Sequence, residues 1–399
     1  MSPATILRAP RVFDGERLLE GSYEVHIEGG YITAIVPVRD PGGDVSADFD
    51  DATIMPGLVD AHVHLSFDAS PDITAQVLSD TPATAALRSA MNARTHLVAG
   101  ITAVRDLGSR DGIVIDVARA VGTPLLPVVP MILAAGQVLT ITGGHGFFMG
   151  REVDGPEAFR QGARAEIKNG ARTIKVMATG GVITEQGTPG ATAMTPSELA
   201  AAVEEAHKAG LRVAAHAHGT EGIKNAIRSG VDTIEHVSYL DDEAIELFLE
   251  SDAWMVSTLI ASERLMPHLE DPAMPAHVRD KIREHTSREA ASLQRAIEAG
   301  VRIASGTDAG TGYNPHGGLP EQIALLHREG MTPEQALTAA TRDAARAIGV
   351  DETTGRLDVG RRADLLVVDG NPLADLAALH NVLAVYLEGR AVKATETAA

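Results

Sequence analysis

Two His-x-His pairs open the chemistry of this sequence: His62-Val63-His64 and His216-Ala217-His218, followed by His236 in Ile234-Glu235-His236. Chance gives roughly half a His-x-His match for a chain with this histidine content, so spacing alone is weak and context must carry the weight. On an extended strand, residues two apart share a face, so His62 and His64 point the same way. With Asp308 in Ser305-Gly306-Thr307-Asp308, the imidazoles make a nitrogen and oxygen donor set suited to zinc or a similar divalent ion. There is no cysteine, which removes disulfides, thiolate metal sites and thiol nucleophiles. Lys175 lies among Thr173, Ile174, Val176 and Met177, a stretch that reads as a buried strand, where a bare ammonium is costly. Two outcomes are open for it. One is a salt bridge to Asp308 or Asp60; the other is a neutral amine that adds carbon dioxide and becomes a carbamate able to bridge two metals.

These residues need a scaffold that brings distant strands to one mouth. From residue 55 to about 347, short apolar runs alternate with helical stretches, the rhythm of repeated βα units. Candidate strands are 58–65, 100–107, 127–134, 172–179, 211–217, 231–236, 253–258 and 301–308. Thr195-Pro196-Ser197-Glu198 and Thr332-Pro333-Glu334-Gln335 are capping boxes with proline at the first helical position. Eight strands over this length predict a (β/α)8 TIM barrel, with reactive groups at the C-terminal strand ends. Both chain ends read instead as short strands broken by glycines. Residues 1–56 together with 355–399 are expected to form one small β-sandwich domain beside a barrel domain of residues 57–354.

Hydrophobic residues make up 44% and charged residues 22%, ordinary for a globular chain, and aromatics only 3%, so Ala, Val, Leu and Ile must build the core. The formal charge of −20 is a poor match for a phosphate backbone, and no nucleic-acid partner is expected. No window approaches a membrane span, and no signal segment is evident at the N-terminus. The expectation is a cytoplasmic protein acting on a small molecule, with no membrane partner, as a homo-oligomer.

Pro56-Gly57-Leu58-Val59-Asp60-Ala61-His62-Val63-His64 resembles the first-strand signature of the amidohydrolase superfamily. Lys175, Ala215-His216-Ala217-His218-Gly219, Ile234-Glu235-His236 and Ser305-Gly306-Thr307-Asp308-Ala309-Gly310 match its later motifs in order, and Gly360 to Pro372 resembles its closing β segment. Thr142-Gly143-Gly144-His145-Gly146 and His236-Val237-Ser238-Tyr239 are similar to the branch of imidazolonepropionase-like proteins, prolidases and Xaa-Lys/Arg metallopeptidases. Where that peptidase branch carries an acidic residue after the glycine loop, this chain has Phe147 and Phe148.

The resemblance implies two divalent ions, zinc foremost. His62, His64 and Asp308 would hold the more buried ion and His216 and His236 the outer one, with carboxylated Lys175 between them. It implies amide hydrolysis by a bridging hydroxide, with Asp308 as proton shuttle and Tyr239 or His145 assisting at the carbonyl. His145, His218, Tyr239, His316 and Phe147 are the expected substrate contacts, and Phe148 and Met149 are expected to line or cover the pocket with Phe147. Glu235 is expected to point away from the site. A lactone, carbamate, aryl amide or cyclic imide is the alternative substrate, and a barrel relative without chemistry the alternative class. A one-metal deaminase is disfavoured, since no glutamate stands three residues after His216 or His236. The other histidines, His96, His277 and His285 among them, are assigned ordinary surface or core roles.

Overall fold

The computed structural model describes residues 4–394 apart from 20 and 186, so residues 1–3, 20 and 395–399 of the expected small domain lie outside it. Each of the eight candidate strands contains an observed strand. They are Leu58–Val63, Ile101–Asp106, Met131–Ala134, Thr173–Met177, Arg212–Ala217, Thr233–His236, Trp254–Ser257 and Ile303–Ser305. The first three form one parallel sheet and the other five lie in a seven-stranded parallel sheet. Two short strands missing from the sequence reading, Val138–Thr140 and Gly150–Glu152, extend the larger sheet at its first edge. At three residues each, both are too short to show a period.

The two sheets approach each other at both flanks. Arg172 N–H donates to Ala134 O at 2.8 Å on one side; on the other, Asp308 N–H donates to His62 O at 2.7 Å and His64 N–H to Ala309 O at 2.9 Å. Outward residues such as Ile174, Val176, Val213 and Ile234 pack into one large core with the helices, among them Phe159, Leu199 and Ile223. Both expected capping boxes form, at Thr195 with Glu198 and at Thr332 with Gln335.

Strands from both ends of the chain pair with each other. Leu365–Asp369 lies antiparallel between Ala52–Pro56 and Val382–Leu387 in a six-stranded sheet. A four-stranded sheet built from Thr5–Ala9, Tyr23–Glu28, Tyr31–Pro37 and Ala47–Asp48 shares a separate core with it, including Leu7, Val25, Ile54, Leu365 and Val367. The chain passes from this unit into the Leu58–Val63 strand at Gly57. A Cβ there would stand 2.2 Å from Thr102 Oγ1, so only glycine allows the approach. Among the described residues, no helix is long and apolar enough to cross a membrane.

Candidate metal centre and catalytic cavity

The strand ends converge on two groups of donors. His62, His64 and Asp308 form one, with Asp308 Oδ1 at 3.3 Å from Nε2 of both histidines. His216, His218 and His236 form the other. The His62 and His236 rings, with centroids 5.1 Å apart, connect them. Lys175 is 1% exposed and its Nζ has no hydrogen-bond partner, so neither salt bridge considered for it is made. It lies within electrostatic reach of His62 and Asp308 of the first group and of His216 and His236 of the second.

Every imidazole of the two groups is tethered through one nitrogen. Nδ1 of His62 meets Glu235 Oε2 at 2.9 Å, Nδ1 of His64 meets Gly108 O at 3.1 Å, and Nδ1 of His236 meets Thr258 Oγ1 at 2.6 Å. Nδ1 of His218 meets Ser238 Oγ at 2.8 Å, whereas His216 is held through Nε2 by Gly180 O at 3.0 Å. The opposite nitrogen of each ring is thereby left for the centre, the arrangement that fixes tautomer and orientation in metal-binding histidines. Burial holds four of them neutral: His62 falls to about 4, and His216, His218 and His236 fall well below the ordinary value. A neutral imidazole is the form that ligates. Burial alone would raise the Asp308 carboxyl, but its contacts with His62 and His64 bring it down to about 2. The donor set, the orphaned amine and the unbonded Asp308 Oδ1 together fit a pair of divalent ions.

Glu235 does not point away. Its Oε1 accepts from Arg105 at 2.9 Å and from Thr233 Oγ1 at 2.6 Å, and Glu235 and Arg105 are both fully buried. Thr233 and Glu235 share the inward face, as alternation requires, and His236 is the exception. Its φ of +74°, followed by +57° at Val237, turns the ring back toward the centre. Asp308 is turned inward in the same way, with φ of +53°. Burial works against ionisation of Glu235, but Arg105 and His62 hold it at about 2.

The other expected residues are placed unevenly. His145 is buried with its ring 4.4 Å from His216 and its Nδ1 2.9 Å from Thr184 Oγ1. His218, expected as a substrate contact beside the metals, stands among the potential ligands themselves. Tyr239 lies in a neighbouring surface recess with Gly190, Lys281 and Arg288, outside the cavity that His218, His236 and Asp308 line. His316 is also elsewhere: it bridges His96 Nε2, at 3.0 Å, and Phe67 O, at 3.1 Å, behind His64. Phe147 lines the cavity, whereas Phe148 and Met149 pack beneath it with Phe67 and Val138. The cavity holds about 430 Å³ and is walled largely by apolar groups, including Ile73, Leu78, Val182, Ile183, Leu265 and Ile282.

Five residues escaped the sequence reading: Arg105, Thr184, Glu289, His277 and His285. The last three line the cavity from the long helix Ala276–Ala299. His277 Nε2 meets Ile183 O at 2.8 Å, and Lys281 donates to the carbonyls of Gly181, Thr184 and Glu185. The helix thereby holds the segment that carries Thr184 over His145. No motif marks such contacts, because they depend on where the helix docks.

A model of the amidohydrolase family matches residues 53–392. Ochratoxinase of Aspergillus niger is 33% identical over 360 residues, spanning 83% of this chain and 73% of its own length. The crystal structure of a Xaa-Pro dipeptidase with bound methionine in the active site superposes with a TM-score of 0.90 at 30% identity, covering 98% of this chain and 100% of that one. A prolidase complexed with N-methylphosphonate-L-proline gives a TM-score of 0.89 at 32% identity, with the same coverage.

Proposed function

The chain belongs to the amidohydrolase family, and from that premise we propose that it is a two-metal hydrolase, built on a (β/α)8 barrel, that cleaves the amide bond of a dipeptide or N-acyl amino acid. The observation that carries this reading is the buried, unpartnered Lys175 amine together with two groups of tethered donors. Prolidase, Xaa-Pro dipeptidase and ochratoxinase neighbours support the amide bond as the target.

In this reading His62, His64 and Asp308 hold one divalent ion, foremost Zn2+, and His216 and His236 hold the second. Lys175 as a carbamate lies between them. Burial lowers its amine to about 8, so a neutral fraction is present near pH 7 to add carbon dioxide and release a proton. Such ions, when bound, supply Lewis acidity toward the scissile carbonyl and acidify a water.

The remaining work falls to the chain itself. Asp308 is ionised and carries an unbonded Oδ1, so it accepts a proton from the attacking water and returns it to the leaving nitrogen. Thr184 Oγ1 receives Gly146 N–H at 3.3 Å and has one hydroxyl proton to give. Giving it to His145 Nδ1 leaves a proton on Nε2, which can be donated to the developing oxyanion. Glu235, locked by Arg105, keeps His62 in register, and the apolar walls shed water from the bound substrate.

Metal-depleted protein titrated with zinc is expected to take up about two equivalents and to gain hydrolysis of dipeptides or N-acyl amino acids as the second binds. Chelation should abolish it. Full turnover without metal, or turnover of lactones with no amide cleaved, would contradict the reading.

A further inference from the structure

The cavity wall beyond the outer histidines holds polar groups that this mechanism leaves idle. His285 is 1% exposed, stands edge-on to His218 with ring centroids 4.2 Å apart, and meets Ser238 Oγ through Nε2 at 3.1 Å. Its Nδ1 is buried without a hydrogen-bond partner, in a residue that lines the cavity. One helical turn further, Glu289 lines the same wall at 3% exposure, with Ser262 Oγ donating to Oε2 at 2.6 Å. Among the described residues no lysine or arginine lines this cavity, whereas Asp72, Glu185, Glu289 and Asp308 do. A buried carboxylate with no cation is unfavourable, and a ligand that brings one offsets the cost. Burial accordingly pushes the Glu289 carboxyl up to about 7.

Resting on the amide-hydrolase reading, we propose that Glu289 and His285 bind an ammonium group on the acyl half of the substrate, so that aminoacyl amides are preferred to their N-acyl counterparts. Ser238 Oγ meets both His218 Nδ1 and His285 Nε2, and in the tautomer that carries its proton on Nε2, His285 presents its unpartnered Nδ1 as an acceptor. Two acceptors, one of them anionic, suit an ammonium with three protons. The amine belongs to the acyl half because His285 touches His218, which stands beside His216 and, through it, beside His145, the group proposed for the oxyanion. Asp308, which serves the leaving nitrogen, lies with His62 and His64.

The test uses metal-replete protein and two matched pairs. L-Alanyl-L-leucine and N-propionyl-L-leucine differ only in an amine on the acyl half; N-acetyl-L-lysine and N-acetyl-L-norleucine differ only in an amine on the leaving half. The first pair is expected to differ by about tenfold or more in kcat/KM, mainly through KM, the scale of one hydrogen-bonded charged group. Glu289→Gln should bring that ratio near one. The native ratio needs no variant, so a misfolded mutant does not shelter the proposal. Equal kcat/KM within the first pair, a ratio that Glu289→Gln leaves in place, or a preference confined to the lysine pair would overturn it. Failure to cleave any of the four substrates would overturn the amide-hydrolase reading as well, so the two failures are distinguishable.

Discussion

Replacing Lys175 with alanine is expected to lower turnover by about 10³-fold or more, near 4 kcal/mol of transition-state stabilisation, and to leave fewer than two bound metal equivalents. The expectation follows from what the amine lacks. Lys175 Nζ is buried on the Thr173–Met177 strand without a hydrogen-bond partner, although Asp308 and Glu235 are near enough to act on it electrostatically. A lysine retained only as a structural cation would make those ion pairs. Its removal would then strand buried carboxylates and destabilise the fold, with no specific effect on metal content. A lysine that serves as a carbamate behaves differently. Its loss removes an anionic bridge between two cations, and a short carboxylic acid can enter the space and replace part of it. Acetate or propionate should therefore restore a measurable share of metal binding and turnover to Lys175→Ala. Two tightly held metals in the variant without added acid would contradict this account, as would native-like turnover.

Asp308→Asn is expected to lose kcat by about 10²-fold or more while metal content is largely retained. The amide keeps the shape of the side chain and one oxygen toward the metal. It cannot accept a proton. Asp308 is held at about 2 by His62 and His64, so the native carboxylate is ionised throughout the neutral range and the loss should be nearly independent of pH between about 6 and 8. A loss of metal parallel to the loss of rate would make the residue a ligand only. Near-normal kcat in a metal-replete Asp308→Asn protein would assign the proton transfer elsewhere, with His145, whose ring lies 4.4 Å from that of His216, and His218 the next candidates. Glu235 is the poorer candidate despite its burial, since both its oxygens are committed to His62, Arg105 and Thr233.

Much of this centre was legible in the sequence because its donors obey the two-residue period of a strand. His62 and His64 share a face by spacing alone, and Lys175 stands out as a cation between Ile174 and Val176. The period also explains the misplacement of Glu235. Alternation puts Glu235 and His236 on opposite faces, and with His236 taken as inward, Glu235 had to point outward. The positive φ at His236 and Val237 admits both Glu235 and His236 to the interior, and nothing in the spacing foretells two successive left-handed residues, one of them a β-branched valine. Tyr239 and His316 follow strand ends in sequence but are carried past the cavity by their loops. His285, Glu289 and His277 were unreadable for a different reason. They occupy a long helix whose pattern reports amphipathicity but not which face meets the mouth of the sheet.

The most direct measurement of the central claim is anomalous diffraction at the zinc absorption edge from crystals of the metal-replete protein. The account predicts two peaks, one against His62, His64 and Asp308 and the other against His216 and His236. Continuous density should extend beyond Lys175 Nζ and join them. A single peak, a peak away from these residues, or density ending at a plain Lys175 ammonium between two well-occupied metals would contradict it.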